Sequence, residues 1–218
     1  MKLEGLYLVV NPKQESKELL SRLQLALNEG LAAVQLYNGW PKDFSQEQKI
    51  ELLTSINKLC KSSNTPFLIN NEWELLKDVP LDGVHFDILP SNWEALKKTI
   101  GRPIITGITL TNDLNRLQEL EKLGIDYISF CAMFPSASVG TCELVDLKNV
   151  EKAIQKTALP IFVSGGITPE NTLSFNNLPI SGIAVISGIM NSNDPLKAIH
   201  AYKESLNKIK HHDSRIFE

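Results

Sequence analysis

Eight short apolar runs alternate with longer amphipathic stretches, helix-start signals precede several of those stretches, and no glycine-rich turn follows the first run. Together these features predict one α/β domain, a parallel (β/α)₈ TIM barrel. A doubly wound open sheet is the competing architecture. It announces itself by a glycine-rich turn after the first strand, and here that turn reads Asn11-Pro12-Lys13.

The strands are expected at Leu6–Val10, Ala33–Tyr37, Phe67–Asn70, Gly83–Phe86, Ile104–Ile108, Tyr127–Phe130, Ile161–Ser164 and Ile183–Ser187. Helices are expected at Lys17–Asn28, Gln46–Lys61, Asn92–Lys98, Asn112–Leu123, Asp146–Lys156, Pro169–Asn176 and Pro195–Ile209. The stretch after Asn70 is shorter and predicts a helix of about two turns. Thr168-Pro169 and Asp194-Pro195 each place a capping side chain before a proline at the first helical position. Gly124 stands where a C-terminal glycine closes a helix. Trp73 and Trp93 read as seals between helices and barrel. No composition shift marks a linker, so residues 1–218 read as a single barrel domain with a polar tail from about 209. His211 and His212 in that tail have no further ligands nearby in sequence and read as solvated.

Bulk properties narrow the function classes. A chain with 43% apolar residues can bury a substantial core, and a net charge of -3 provides no basic footprint for nucleic acid or anionic membrane. No apolar stretch is long enough to span a bilayer, and the first strand begins too early to leave room for a signal peptide. The cysteines, Cys60, Cys131 and Cys142, form no CxxC pair. A cytoplasmic protein with reduced thiols is the plain expectation. Cys131 lies at a strand end but has no histidine close in sequence, so it reads as a small core residue rather than a nucleophile.

Barrels carry their chemistry at the C-terminal ends of the strands. Strand seven ends in Ser164-Gly165-Gly166 ahead of a proline-led helix, and strand eight runs into Ser187-Gly188. Adjacent glycines let backbone N–H groups approach an anion, and barrels commonly hold phosphate between these two loops. Strand six opens into a polar loop whose Ser136 and Ser138 hydroxyls can donate to phosphate oxygens. Gln35 and Asn70 are polar at strand ends and are expected to face the site. His85, at the end of strand four, is the histidine placed at the mouth, as a general base or as a hydrogen-bonding residue. Tyr37, Trp40 and Phe44 can form an aromatic wall for a flat heterocycle, cover the mouth, or pack against a partner subunit.

The segments LYLVV, GLAAVQL, PFLINN, LDGVH, IITGIT, GIDYISF..MFPSAS, PIFVSGGITPEN and GIAVISGI, in this order, resemble thiamine phosphate synthase and its relative, the thiazole tautomerase TenI. The resemblance runs from about Leu6 to Ala201 and implies a (β/α)₈ barrel. It implies coupling of hydroxymethylpyrimidine diphosphate to thiazole phosphate, with release of pyrophosphate and Mg²⁺ bound. It also implies a homo-oligomer, dimer or larger, whose ligands are phosphorylated heterocycles such as thiazole phosphate or thiamine phosphate.

Residue by residue, the thiazole-phosphate half carries over. Ser136 and Ser138 stand for two threonines, Gly166 for the glycine after strand seven, and Ile186 and Ser187 for contacts after strand eight, with Gly165 and Gly188 beside them. The pyrimidine-diphosphate half departs from the pattern. The resemblance places that ligand at Gln35, Tyr37, Asn70 and Thr109, but the arginine and lysine of Gln-x-Arg-Glu-Lys are replaced in Gln35-Leu36-Tyr37-Asn38-Gly39. The metal-binding Asn-Asp pair is Asn70-Asn71, the second metal aspartate aligns near Pro90, and the lysine after the threonine motif is Val139. Asn71, Glu72 and Asp87 are the groups left for Mg²⁺, and Lys42, Asp43 and Asp87 could partly compensate. The tautomerase's histidine after strand six aligns with Ala132.

Cationic clamps or Mg²⁺ supply several kcal/mol toward diphosphate departure, so these replacements bear directly on activity. Three functions stay open: a synthase with a rebuilt diphosphate site, a TenI-like enzyme acting on thiazole phosphate alone, and a non-catalytic thiazole-phosphate-binding protein.

Overall fold

The computed structural model describes residues 3–136 and 143–213. Its strands are β1 (Gly5–Val10), β2 (Ala33–Leu36), β3 (Phe67–Asn70), β4 (Gly83–Phe86), β5 (Ile105–Leu110), β6 (Tyr127–Phe130), β7 (Ile161–Ser164) and β8 (Gly182–Val185). They pair in parallel in chain order, and β8 returns to β1 to close the barrel. The expected fold is the observed one.

Around the barrel lie α1 (Ser16–Asn28), α2 (Gln46–Ser62), α3 (Trp93–Ile100), α4 (Leu117–Lys122), α5 (Leu147–Lys156), α6 (Ser187–Met190) and α7 (Pro195–Asp213). The Asp194 and Gly124 signals are met, and a further cap forms on α2. Ser45 and Gln48 form a reciprocal capping box on α2, and the Asp194 carboxylate accepts from the Lys197 N–H at the start of α7. Gly124 adopts a φ of 73° just after α4, as expected of a closing glycine. Trp93 is buried edge-on against Phe86, so this seal is present.

Several elements differ from expectation. The connection from Asn70 to Gly83 holds only a single 3₁₀ turn, Trp73–Lys77, which still buries Leu75 and Leu76. The fourth helix begins at Leu117 rather than Asn112, because Asn112 turns its side chain to the β6–α5 connection. Its amide donates to Glu143 and the Leu144 carbonyl, and its oxygen accepts from the Asp146 N–H. After β7 only the 3₁₀ turn Asn171–Phe175 forms, since the Asn171 amide donates back to the Gly166 carbonyl. The eighth strand stops at Val185, and Ser187 opens the short α6. At the end of the chain, α7 continues through Asp213, past the expected start of the polar tail.

The strands divide the core by alternation. Leu6, Leu8 and Val10 of β1 join the layer between sheet and helices, whereas Tyr7 and Val9 pack inside the barrel with Ala33, Leu68, Tyr127, Phe162 and Ala184. Glycine matters at one inward position. A Cβ on Gly107 would lie 2.1 Å from the Tyr127 ring, so the glycine is what admits that ring to the interior.

Candidate active site at the barrel mouth

One step further along the inward-facing rows, apolar side chains change to polar ones. Gln35, Asn70, His85, Thr109, Ser129 and Ser164 follow Ala33, Leu68, Gly83, Gly107, Tyr127 and Phe162 by two residues on their strands. They make a polar floor under the C-terminal mouth. Two shallow depressions on the opposite face are lined by residues leading into the strands, such as Asp82 and Pro160, where barrels do not place their chemistry.

The floor is internally bonded. The Tyr7 hydroxyl donates to Gln35 Oε1 at 3.0 Å and lies 2.8 Å from the Tyr127 hydroxyl. Tyr127 in turn stands 2.9 Å from His85 Nδ1, and His85 Nε2 stands 2.9 Å from Thr109 Oγ1. Ser129 and Ser164 pair at 3.3 Å, and Ser164 also donates to the Phe130 carbonyl. Burial lowers the His85 pKa to about 4, against a weaker opposing pull from Asp87, so the ring is neutral at neutral pH. Burial raises both phenols above the ordinary tyrosine value, so they stay protonated.

On the β2–β4 side, the candidate metal groups satisfy one another. Asn71 sits in the left-handed region at φ 60°, and its amide donates to Asp87 Oδ2 at 2.7 Å while its oxygen accepts the Asp87 N–H. The Asn70 amide donates to the His85 carbonyl and to Asp87 Oδ1, leaving its own buried oxygen without a partner. The Glu72 carboxylate accepts from the Trp40 indole and from Lys49 Nζ, and that ammonium lies over the Trp40 ring. Trp40 and Phe44 stack on each other and lean on the core, whereas Tyr37 stands apart and exposed. The aromatic wall is therefore a two-residue one.

Mg²⁺ takes an octahedral oxygen set that includes one or two carboxylates. Both Asp87 oxygens accept amide protons, and Glu72 is committed to an indole and an ammonium. Among the described residues, no group of three or more acidic, histidine or cysteine side chains converges as a metal site. To hold the ion, either carboxylate would have to share its oxygens with these donors.

The β6–β8 side is built from backbone and hydroxyls. Gly165 and Gly166 have φ of 82° and 68°, and the loop after β6 lies directly on them. The Phe134 N–H donates to the Gly165 carbonyl, and a Cβ on Gly166 would come within 2.5 Å of the Phe134 carbonyl oxygen. Asn171 and Thr168 cap each other across the turn that follows. The Ser136 Oγ is shut off from solvent with no hydrogen-bond partner, an expensive arrangement unless a ligand supplies one. Ser138 lies outside the described residues. Ile186 ends the inward row of β8, and Ser187 and Gly188 are exposed beyond it. Tyr202 of α7 ties the two loops together. It donates to the Ile167 carbonyl at 2.9 Å, and its hydroxyl fills the space a Cβ on Gly188 would need.

The structure thus gathers Gln35, Asn70, His85 and Thr109 on one floor and lays the loop that carries Ser136 on Gly165 and Gly166 through Phe134. Tyr37, two residues beyond inward Gln35, is exposed above that floor. Tyr7, Tyr127, Ser129, Ser164 and Tyr202 were not singled out from the sequence as site residues. Alternation along the strands was the available signal for Ser129 and Ser164, which lie two residues beyond inward Tyr127 and Phe162.

A closed parallel barrel with a polar floor and a two-glycine turn after β7 defines the class: a (β/α)₈ barrel with a small-molecule site at its C-terminal mouth. The chain belongs to the thiamine monophosphate synthase family, whose model matches residues 6–189. It is 31% identical over 208 residues to a thiamine-phosphate synthase of Nitrosococcus oceani, covering 93% of this chain and 92% of that one. It is 30% identical to a thiamine-phosphate synthase of Picrophilus torridus, over 96% of this chain and 100% of the relative. In structure it resembles a thiamine phosphate pyrophosphorylase from Pyrococcus furiosus, with a TM-score of 0.79 at 22% identity, over 95% and 98% of the two chains. That likeness shows the shared barrel. Among the described residues, no helix is long and apolar enough to cross a membrane.

Proposed function

We propose that the chain makes thiamine phosphate, coupling thiazole phosphate to hydroxymethylpyrimidine diphosphate. The phosphate of the thiazole would rest on Gly165, Gly166 and the Ser187–Gly188 turn, with Ser136 donating to it. The observation that carries this reading is the buried, unpartnered Ser136 hydroxyl, two residues after the Phe134 that lies on Gly166, in a chain matched to the family over residues 6–189. The pyrimidine would lie over Gln35, Asn70, His85 and Thr109. In the coupling, the thiazole nitrogen bonds to the pyrimidine methylene carbon as that carbon releases pyrophosphate. The neutral His85 contributes polarity to the floor rather than positive charge.

A second reading follows from the committed carboxylates. With Asp87 and Glu72 already bonded, a protein acting on or holding thiazole phosphate alone fits the β2–β4 side. Pyrophosphate release, measured with both substrates and with or without Mg²⁺, separates the two. Release supports the coupling. No release, with calorimetric binding of thiazole phosphate intact, overturns coupling in favour of the one-sided reading. A chain that binds neither substrate would refute both.

A further inference from the structure

The hydrogen bonds under the mouth form one continuous series, and a series of hydroxyls has a direction. Each tyrosine carries one proton. Tyr7 gives its proton to Gln35 Oε1, which can only accept. The Tyr7 oxygen can then serve Tyr127 only as an acceptor, so Tyr127 donates to it across 2.8 Å. With its proton spent, the Tyr127 oxygen must accept from His85 Nδ1 at 2.9 Å. The buried neutral ring has a single N–H, and placing it on Nδ1 leaves Nε2 bare. Thr109 therefore donates to Nε2, and its oxygen retains only lone pairs. Thr109 is the half-exposed end of this series, while Tyr7, Gln35, His85 and Tyr127 are buried.

We propose that Gln35, acting through Tyr7 and Tyr127, holds His85 as the Nδ1–H tautomer, so that Thr109 offers the mouth an acceptor and selects ligands bringing an N–H donor. Tyr7 and Tyr127 are positioning residues, and Tyr7 acts without touching His85. Gly107 belongs to the device, since any side chain there would displace the Tyr127 ring. The identity of the selected ligand, an aminopyrimidine, rests on the pyrimidine placement proposed above; the tautomer does not.

The test is ring-¹⁵N NMR of the full chain labelled at histidine, at neutral pH. His85 should show a protonated Nδ1 and an unprotonated Nε2, and Tyr7→Phe should move the proton to Nε2, because Tyr127 is then free to donate to Nδ1. Gln35→Glu, with Tyr7 intact, keeps an acceptor for the Tyr7 hydroxyl and should leave the wild-type pattern unchanged. An Nε2–H ring in the wild type, or an unchanged ring in folded Tyr7→Phe, overturns the proposal. If Tyr7→Phe does not fold, the wild-type spectrum decides the tautomer. Calorimetry then compares an aminopyrimidine with its methoxy counterpart, which lacks the N–H donor. A preference of about tenfold is expected in the wild type. Equal affinity, with the expected spectrum, overturns the selection. Binding of neither overturns the pyrimidine placement and the selection with it, while the spectrum still reads the tautomer.

Discussion

The two sides of the mouth handle polarity in opposite ways. On the β6–β8 side, polarity is left open: the lack of a Cβ at Gly165 and Gly166 admits the loop after β6, and the buried Ser136 hydroxyl has no partner. On the β2–β4 side, charged groups close on one another, Asp87 with the amides of Asn70 and Asn71, and Glu72 with Trp40 and Lys49. An anion site made of backbone survives side-chain replacement because its donors belong to every residue. A site made of charged side chains does not, and here the carboxylates accept from protein donors, Asp87 from two amides and Glu72 from an indole and an ammonium.

The largest expected effect tests the closed side at its floor. The folded chain holds the His85 pKa at about 4, and the unfolded chain holds it at the ordinary histidine value of about 6.5. Below the unfolded value the unfolded state takes up a proton that the folded state refuses. Stability from this group is therefore complete above about pH 6.5 and lost as pH falls toward 4, by about 3 kcal/mol. Denaturant unfolding across that range should show the slope in the wild type and a weaker one in His85→Gln.

The next effect falls on the open side. Gly166→Ala puts a methyl against the Phe134 carbonyl at a φ that disfavours alanine. Thiazole-phosphate affinity should drop by about a hundredfold, or roughly 3 kcal/mol, measured by calorimetry on protein shown to be folded. An unchanged affinity would remove the contrast drawn between the two sides.

Ser136→Ala should weaken the same ligand about tenfold while leaving the free protein as stable or slightly more so, because a buried unpartnered hydroxyl is removed. A clear fall in the melting temperature would mean the hydroxyl serves the fold instead. The smallest effect is expected from Glu72→Gln, which releases the partly exposed Lys49. Stability should change by less than about 1 kcal/mol. A rise in affinity for inorganic pyrophosphate in that variant, read by calorimetry, would show that the closed side can be reopened.

Much of this was legible in the residues themselves. Strands β3, β4, β6 and β7 lie at the expected bounds, because a parallel buried strand is a short apolar run ended by turn residues. Gly165 and Gly166 announced the loop after β7, and Gln35, Asn70, His85 and Thr109 reached the mouth as their strand ends implied. The misread elements share one cause. Asn112 and Asn171 lie in helix-like stretches but spend their side chains on distant backbone, on the β6–α5 connection and on Gly166, and so delay or shorten their helices.

By itself, the sequence determined the strand count, the parallel order, the family and the loops that can hold an anion. Each of these rests on local patterns read in order along the chain: apolar runs, capping side chains, a pair of glycines. Barrel closure decided what no local pattern contains. It placed Tyr7 beside Tyr127 across the barrel, set Asp87 between two asparagines, and laid Phe134 on Gly166. Alternation tells which way a side chain points, but its partner depends on strand register and on the return of β8 to β1, contacts that the whole chain must make together.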